Sequence, residues 1–158
     1  MSAVISSCGK YRYHLYRHIG AGYGRCCFVM LNPSTADATN DDATIRRCIG
    51  FARSFGCDSL EVVNLFAYRS TSPNVLYAIS RDAAVGPKND AHIAMASALA
   101  RFVICAWGNH GGLFGRDAEV LRIIRGRGVK PKALKINAAS RQPAHPLFLK
   151  GASSPFDI

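Results

Sequence analysis

Apolar and polar positions first alternate between residues 11 and 16, where Tyr11, Tyr13 and Leu15 interleave with Arg12, His14 and Tyr16. A period of two predicts a strand. Glycines at 20, 22 and 24 interrupt the chain, and the run 26–31 is then apolar throughout, as in a strand covered on both faces. Glycines between two such runs predict a hairpin or a wide connection. Past Asn32-Pro33-Ser34-Thr35 and a polar loop from Ala36 to Asn40, Asp41 and Asp42 offer caps for a helix over 43–55. Ile45, Cys48, Ile49 and Ala52 fall at i, i+3, i+4 and i+7 on one face of it, and Gly56 closes it.

The same reading predicts a strand over 60–66 and a long connection over 68–86 holding one short helix near 74–79. A helix capped by Asn89 or Asp90 and running to about residue 100 comes next, then a strand over 102–107. A glycine-rich loop over 108–112, a helix over 116–125, a short last strand over 133–137 and an irregular closing tail complete the chain. Strand–helix alternation implies crossover units. The expected fold is a single α/β domain over 1–158: three layers, α/β/α, around a central, mainly parallel four-stranded sheet, with an N-terminal β-hairpin or extra strand.

Composition narrows the class. At 158 residues, 49% hydrophobic and 19% charged, the chain has the make-up of one globular domain. No apolar run approaches the ~18 residues of a spanning helix, and the first ten residues lack the build of a signal peptide. A cytoplasmic protein with no membrane partner is expected. The six cysteines form no CxxC pair and no zinc spacing; they are expected to be reduced and mostly buried. Neither a metal nor a cofactor is implied. A net charge of +10, spread along the chain, favours polyanionic partners.

In open α/β sheets, ligands bind beyond the carboxyl ends of the strands. Unusual residues gather there: Asn32, Pro33 and Ser34 after one strand, Asn64, Phe66 and Arg69 at the next, Trp107, Gly108 and Asn109 at a third. Asn137 follows a fourth, and His145-Pro146 comes in the closing loop. An asparagine within a buried strand is costly unless its amide is hydrogen-bonded. Such an amide presents donor and acceptor together, which suits the edge of a base. Taken singly, Asn32 fits turn chemistry before a proline, Asn64 a loop contact and Trp107 the core.

Two resemblances follow from these residues. Nearly the whole chain resembles a family of small bacterial and phage proteins known only as a domain of unknown function. The matching segments are LNPSTAD at 31–37, DATIRRC at 42–48, VNLFAYR at 63–69, AWG at 106–108 and HPLFL at 145–149. More distantly, the order of motifs is similar to that of the uracil-DNA glycosylase superfamily, whose fold is a parallel sheet between helices. Asn32-Pro33 is similar to its water-positioning motif, Asn64 to its base-reading asparagine, and Trp107-Gly108 to an apolar strand ending Trp-Gly. His145-Pro146 is similar to the loop whose histidine holds the base oxygen. Ser34 stands where that superfamily commonly has Gly or Tyr, and Leu147 where it has Ser.

The second resemblance implies a nucleobase-recognising N-glycosylase acting on nucleic acid, DNA above all, or on nucleotides. Asn32 and His145 would be catalytic. Pro33, Asn64, Trp107, Gly108 and Pro146 would bind substrate, joined by Ser34, Phe66, Arg69 and Asn109 from their places at the strand ends. The alternative is a nucleotide or nucleic-acid binding module without catalysis.

Overall fold

The computed structural model describes residues 1–158. Its strands are β1 (Ser2–Ile5), β2 (Arg12–His18), β3 (Arg25–Met30), β4 (Ser59–Asn64), β5 (Ala100–Cys105), β6 (Pro131–Ala133) and β7 (Phe156–Asp157). They form one mixed sheet in the order β1-β2-β4-β3-β5-β6-β7. The four inner strands β4, β3, β5 and β6 run parallel. The outer strands β1, β2 and β7 pair antiparallel.

Apolar runs explain which strands are central. Alternate residues of β3 feed opposite cores: Cys26, Phe28 and Met30 join a cluster with Ile45, Cys48, Phe51 and Ala52 of α1 (Ala43–Ser54). Cys27 and Val29 join a second cluster. That cluster holds Ile93 and Ala96 of α3 (Asn89–Leu99) and Val120 and Ile124 of α4 (Arg116–Gly126). Helix α2 (Arg81–Val85) is a single short turn. Each face of the sheet is thus covered, which is why β3 carries no polar alternation.

Several expectations are corrected. The sheet has seven strands: the antiparallel pair β1 and β2 extends one side of the parallel set, and the two-residue β7, which was not expected, extends the other. Of the two alternatives for the glycine segment the wide connection is found, since β2 pairs with β4 and not with β3, and an N-terminal hairpin joins β1 to β2. Asp42 caps α1 as expected, its Oδ1 accepting the Ile45 N–H at 2.9 Å. Asn89 caps nothing: its amide turns inward to strand carbonyls, and α3 starts without a side-chain cap. The last parallel strand is three residues at 131–133, and the tail supplies a 3₁₀ turn (Pro146–Phe148) and β7.

Cys26, Cys27, Cys48, Cys57 and Cys105 are buried and free, with Cys8 exposed. No helix is long and apolar enough to cross a membrane.

Candidate functional site

Parallel pairing sets the carboxyl ends of β4, β3 and β5 side by side, with Met30 opposite Asn64 and Val29 opposite Cys105. Asn64 therefore ends one strand beside Asn32, which follows the next, while Trp107 and Gly108 follow the third. The closing loop is seated against them. Gly108, at φ +77°, donates its N–H to Pro143 O at 2.8 Å, and a Cβ added there would lie 3.7 Å from the His145 Cβ. A cleft of about 430 Å³ opens between these segments, within the usual range for small-molecule sites.

Asn32, Ser34, Asn64, Trp107, Gly108, Asn109 and His145 all border this cleft. Segments separated by more than a hundred residues thus meet in one hollow. Pro33 and Pro146, expected to bind substrate, are not among the residues that line it. Pro33 O accepts the Ser70 N–H at 2.9 Å, and Pro146 O accepts the Leu149 N–H at 3.2 Å. Phe66 lies in the second apolar core, edge-on to Phe114, away from the cleft. Arg69 is also outside the lining and reaches Gly9 O at 3.3 Å.

Asn64 is 1% exposed, and neither its Oδ1 nor its Nδ2 has a hydrogen-bond partner. An unsatisfied buried amide costs about 1–3 kcal/mol per group. Its main chain, by contrast, is tightly held. Asn89 Nδ2 donates to Asn64 O at 2.9 Å and to Leu65 O at 3.0 Å. Arg116 Nε, on a fully buried side chain, donates to Leu65 O at 2.8 Å. The remaining guanidinium nitrogens pair with Asp90 and with Glu119. A rigid support thus carries an unfilled donor–acceptor pair.

The other polar groups are partly committed. Asn32 Nδ2 donates to Ser70 O at 3.0 Å and Pro33 O at 3.3 Å, which leaves Oδ1 unbonded. His145 Nδ1 accepts the Leu147 N–H at 3.3 Å, so the neutral ring carries its proton on Nε2. Burial lowers the His145 pKa, with the nearby Asp42 carboxylate opposing, which keeps the ring in that neutral form. Asn109 Oδ1 accepts from Asn137 Nδ2 at 2.8 Å and Ser140 Oγ at 2.7 Å. Trp107 is 2% exposed and donates Nε1–H to Gln142 Oε1 at 2.7 Å. Its ring is wall and core rather than an open stacking platform.

Several lining residues went unassigned in the sequence, among them Asp42, Arg12 and Phe148. Asp42, read there as a cap, does cap through Oδ1, while the residue also borders the cleft and its Oδ2 makes no hydrogen bond. Arg12, read as the polar phase of a strand, is 2% exposed and reaches the same hollow. Burial lowers its pKa to about 10, opposed by Asp42, so it stays charged at neutral pH. Phe148 is 85% exposed at the rim, its ring 5.8 Å from that of His145. Its place beside His145 in the HPLFL segment was the available signal. No three His, Cys, Asp or Glu side chains converge as a metal-binding group.

The comparison that decides kinship is a family model covering residues 12–147, described as protein of unknown function (DUF1643). The chain belongs to the DUF1643 family. That match takes in β2 through the Pro146 turn, so nearly every residue of the cleft falls within the DUF1643 region. Neither a curated protein nor a solved structure matches the chain.

Proposed function

We propose that this DUF1643 protein is a nucleobase-recognising, N-glycosylase-like protein acting on nucleic acid or nucleotides. The observation that carries it is the Asn64 amide, buried, unpartnered and facing one cleft with Asn32 and His145. A donor and acceptor fixed side by side complement a base edge. The finer fold assignment that goes with it is a three-layer arrangement similar to that of the uracil-DNA glycosylase superfamily. It is supported by α1 on one face of the sheet and α3 and α4 on the other.

Chemically, the N-glycosidic bond breaks with its electron pair leaving on the base, and a water oxygen bonds to the sugar carbon. His145 Nε2–H donates to the base oxygen where negative charge develops. Asn32 Oδ1 orients the water but cannot take its proton. The free oxygen of Asp42 is a carboxylate on the same cleft that can. For a base in a duplex, flipping costs a few kcal/mol, which the basic surface offsets through phosphate contacts.

A chromatographic assay for released base tests this over modified and mismatched DNA and free nucleotides. Release is expected from at least one substrate, with Asn32→Ala and His145→Ala each about 10²- to 10³-fold slower. No release from any of them overturns the glycosylase activity. The second reading, a binding module, is favoured by an amide at position 32 where a carboxylate would be the stronger base. It predicts nucleoside binding without product.

A further inference from the structure

Two buried arginines leave β2 toward the loop over 36–41, and they differ in what neutralises them. Arg17 pairs with Asp41 at 2.8 Å and also holds the carbonyls of Asp37 and Asn40. Arg12 makes no ion pair. Its single protein hydrogen bond is from Nη1 to Ala36 O at 2.8 Å, and Nε is buried without a partner. A β-bulge sets its direction: Val4 pairs with His14 but Ile5 with Arg12, so Tyr13 falls out of register. Tyr13 stacks on His92 of α3 at 5.2 Å, while Arg12 lies on the side of Leu15, Ile45 and Val62, where the cleft opens.

A guanidinium carries five donors, and burying it uncompensated costs several kcal/mol. Most of these donors are left without a protein acceptor. Thr44 and Ile45, in the first turn of the twelve-residue α1, border the same cleft, so the positive end of that helix faces it as well. Asp42 is the opposing charge, but its Oδ1 is turned into the helix by the Ile45 N–H.

We infer that Arg12 is an anion subsite of this cleft that takes a phosphoryl group of the nucleotide whose base meets Asn64. The inference rests on the nucleobase reading and deepens it. The guanidinium fork matches phosphate oxygens two at a time, a geometry that a lysine ammonium lacks. The phosphoryl group belongs either to a free nucleoside 5′-monophosphate or to a nucleic-acid backbone.

Calorimetric titration of the full chain with the four common deoxynucleosides, their 5′-monophosphates, inorganic phosphate and a short single-stranded oligonucleotide tests it. Arg12→Met, which keeps the length and removes the charge, and Arg12→Lys are compared with wild type. At least one monophosphate should bind about tenfold or more tighter than its nucleoside. Arg12→Met should erase that gain without weakening nucleoside binding, lowering Tm by no more than the loss of the bond to Ala36 O explains, and Arg12→Lys should erase part of it. A gain confined to the oligonucleotide and lost in Arg12→Met supports the subsite and assigns its phosphoryl group to a nucleic-acid chain. Arg12-dependent phosphate binding with no contribution from any base upholds the subsite and sinks the nucleobase reading. Equal binding of nucleoside and nucleotide, or a preference untouched in both variants, overturns the subsite while the nucleoside's own binding keeps the base reading. A lowered Tm in Arg12→Met with the preference intact assigns Arg12 to the fold alone and overturns the subsite too.

Discussion

Asn89 Nδ2 donates to the main-chain oxygen of Asn64 at 2.9 Å, so a helix side chain fixes the strand end from which the free Asn64 amide projects. Asn89 is fully buried, and the same nitrogen also satisfies Leu65 O. Asn89→Ala strips a donor from these carbonyls and should cost about 2 kcal/mol of stability. Urea unfolding measures it. A change within the error of the measurement would mean that the carbonyls find other donors.

The Arg47 side chain ties α1 to the closing loop. It donates to Leu149 O and, at 3.4 Å, to Pro146 O, and lies 4.8 Å above the Phe51 ring. Arg47→Ala should loosen the turn that carries His145. Amide exchange at 147–149 is expected to quicken, and nucleoside affinity to fall several-fold, roughly 1 kcal/mol. Unchanged exchange there would count against such a tether.

Gly111 packs against the only tryptophan, Trp107, and an added Cβ would overlap the Cδ1–Nε1 edge of its indole. Its backbone suits any residue, so the cost of Gly111→Ala is steric, about 1–3 kcal/mol of overpacking. Displacing the ring also breaks the chain from Trp107 through Gln142 to Asp117. A lower Tm with red-shifted tryptophan emission is expected. Native emission in the variant would show that the backbone yields instead.

Burial lowers the folded-state pKa of His145, and that of His92 likewise. Between that value and the ordinary histidine value of about 6.5, the unfolded chain binds more protons than the folded one. The stability contributed by neutral His145 is whole above about pH 6.5 and declines as the pH falls toward the folded pKa. Tm should therefore drop between about pH 7 and pH 5, and less steeply in His145→Gln. Parallel profiles for the two proteins would contradict this assignment.

Much of this architecture is legible in the sequence, and what escapes has physical causes. Helix α1 is written in its apolar spacing and in Asp42, and β3 in a run without polar residues. The strand ends mark Asn32, Asn64 and Trp107 because parallel sheets present their carboxyl ends together. Asn89 was misplaced because a polar residue at a helix start looks the same whether it caps the helix or reaches inward. Arg12 was hidden because the β-bulge at Tyr13, which turns it to the side of Leu15, leaves no mark in the alternation. The edge strands β1 and β7 are too short to carry a pattern, and pairing alone defines them.

The walls of the cleft come from positions 32, 64, 107 and 145, each carried by a different part of the chain. Whatever occupies it acts as a non-covalent staple across more than a hundred residues. Occupancy at a hundred times Kd would shift global unfolding by about 2.7 kcal/mol. A melting curve recorded with candidate compounds can thus search for the ligand before any reaction is known.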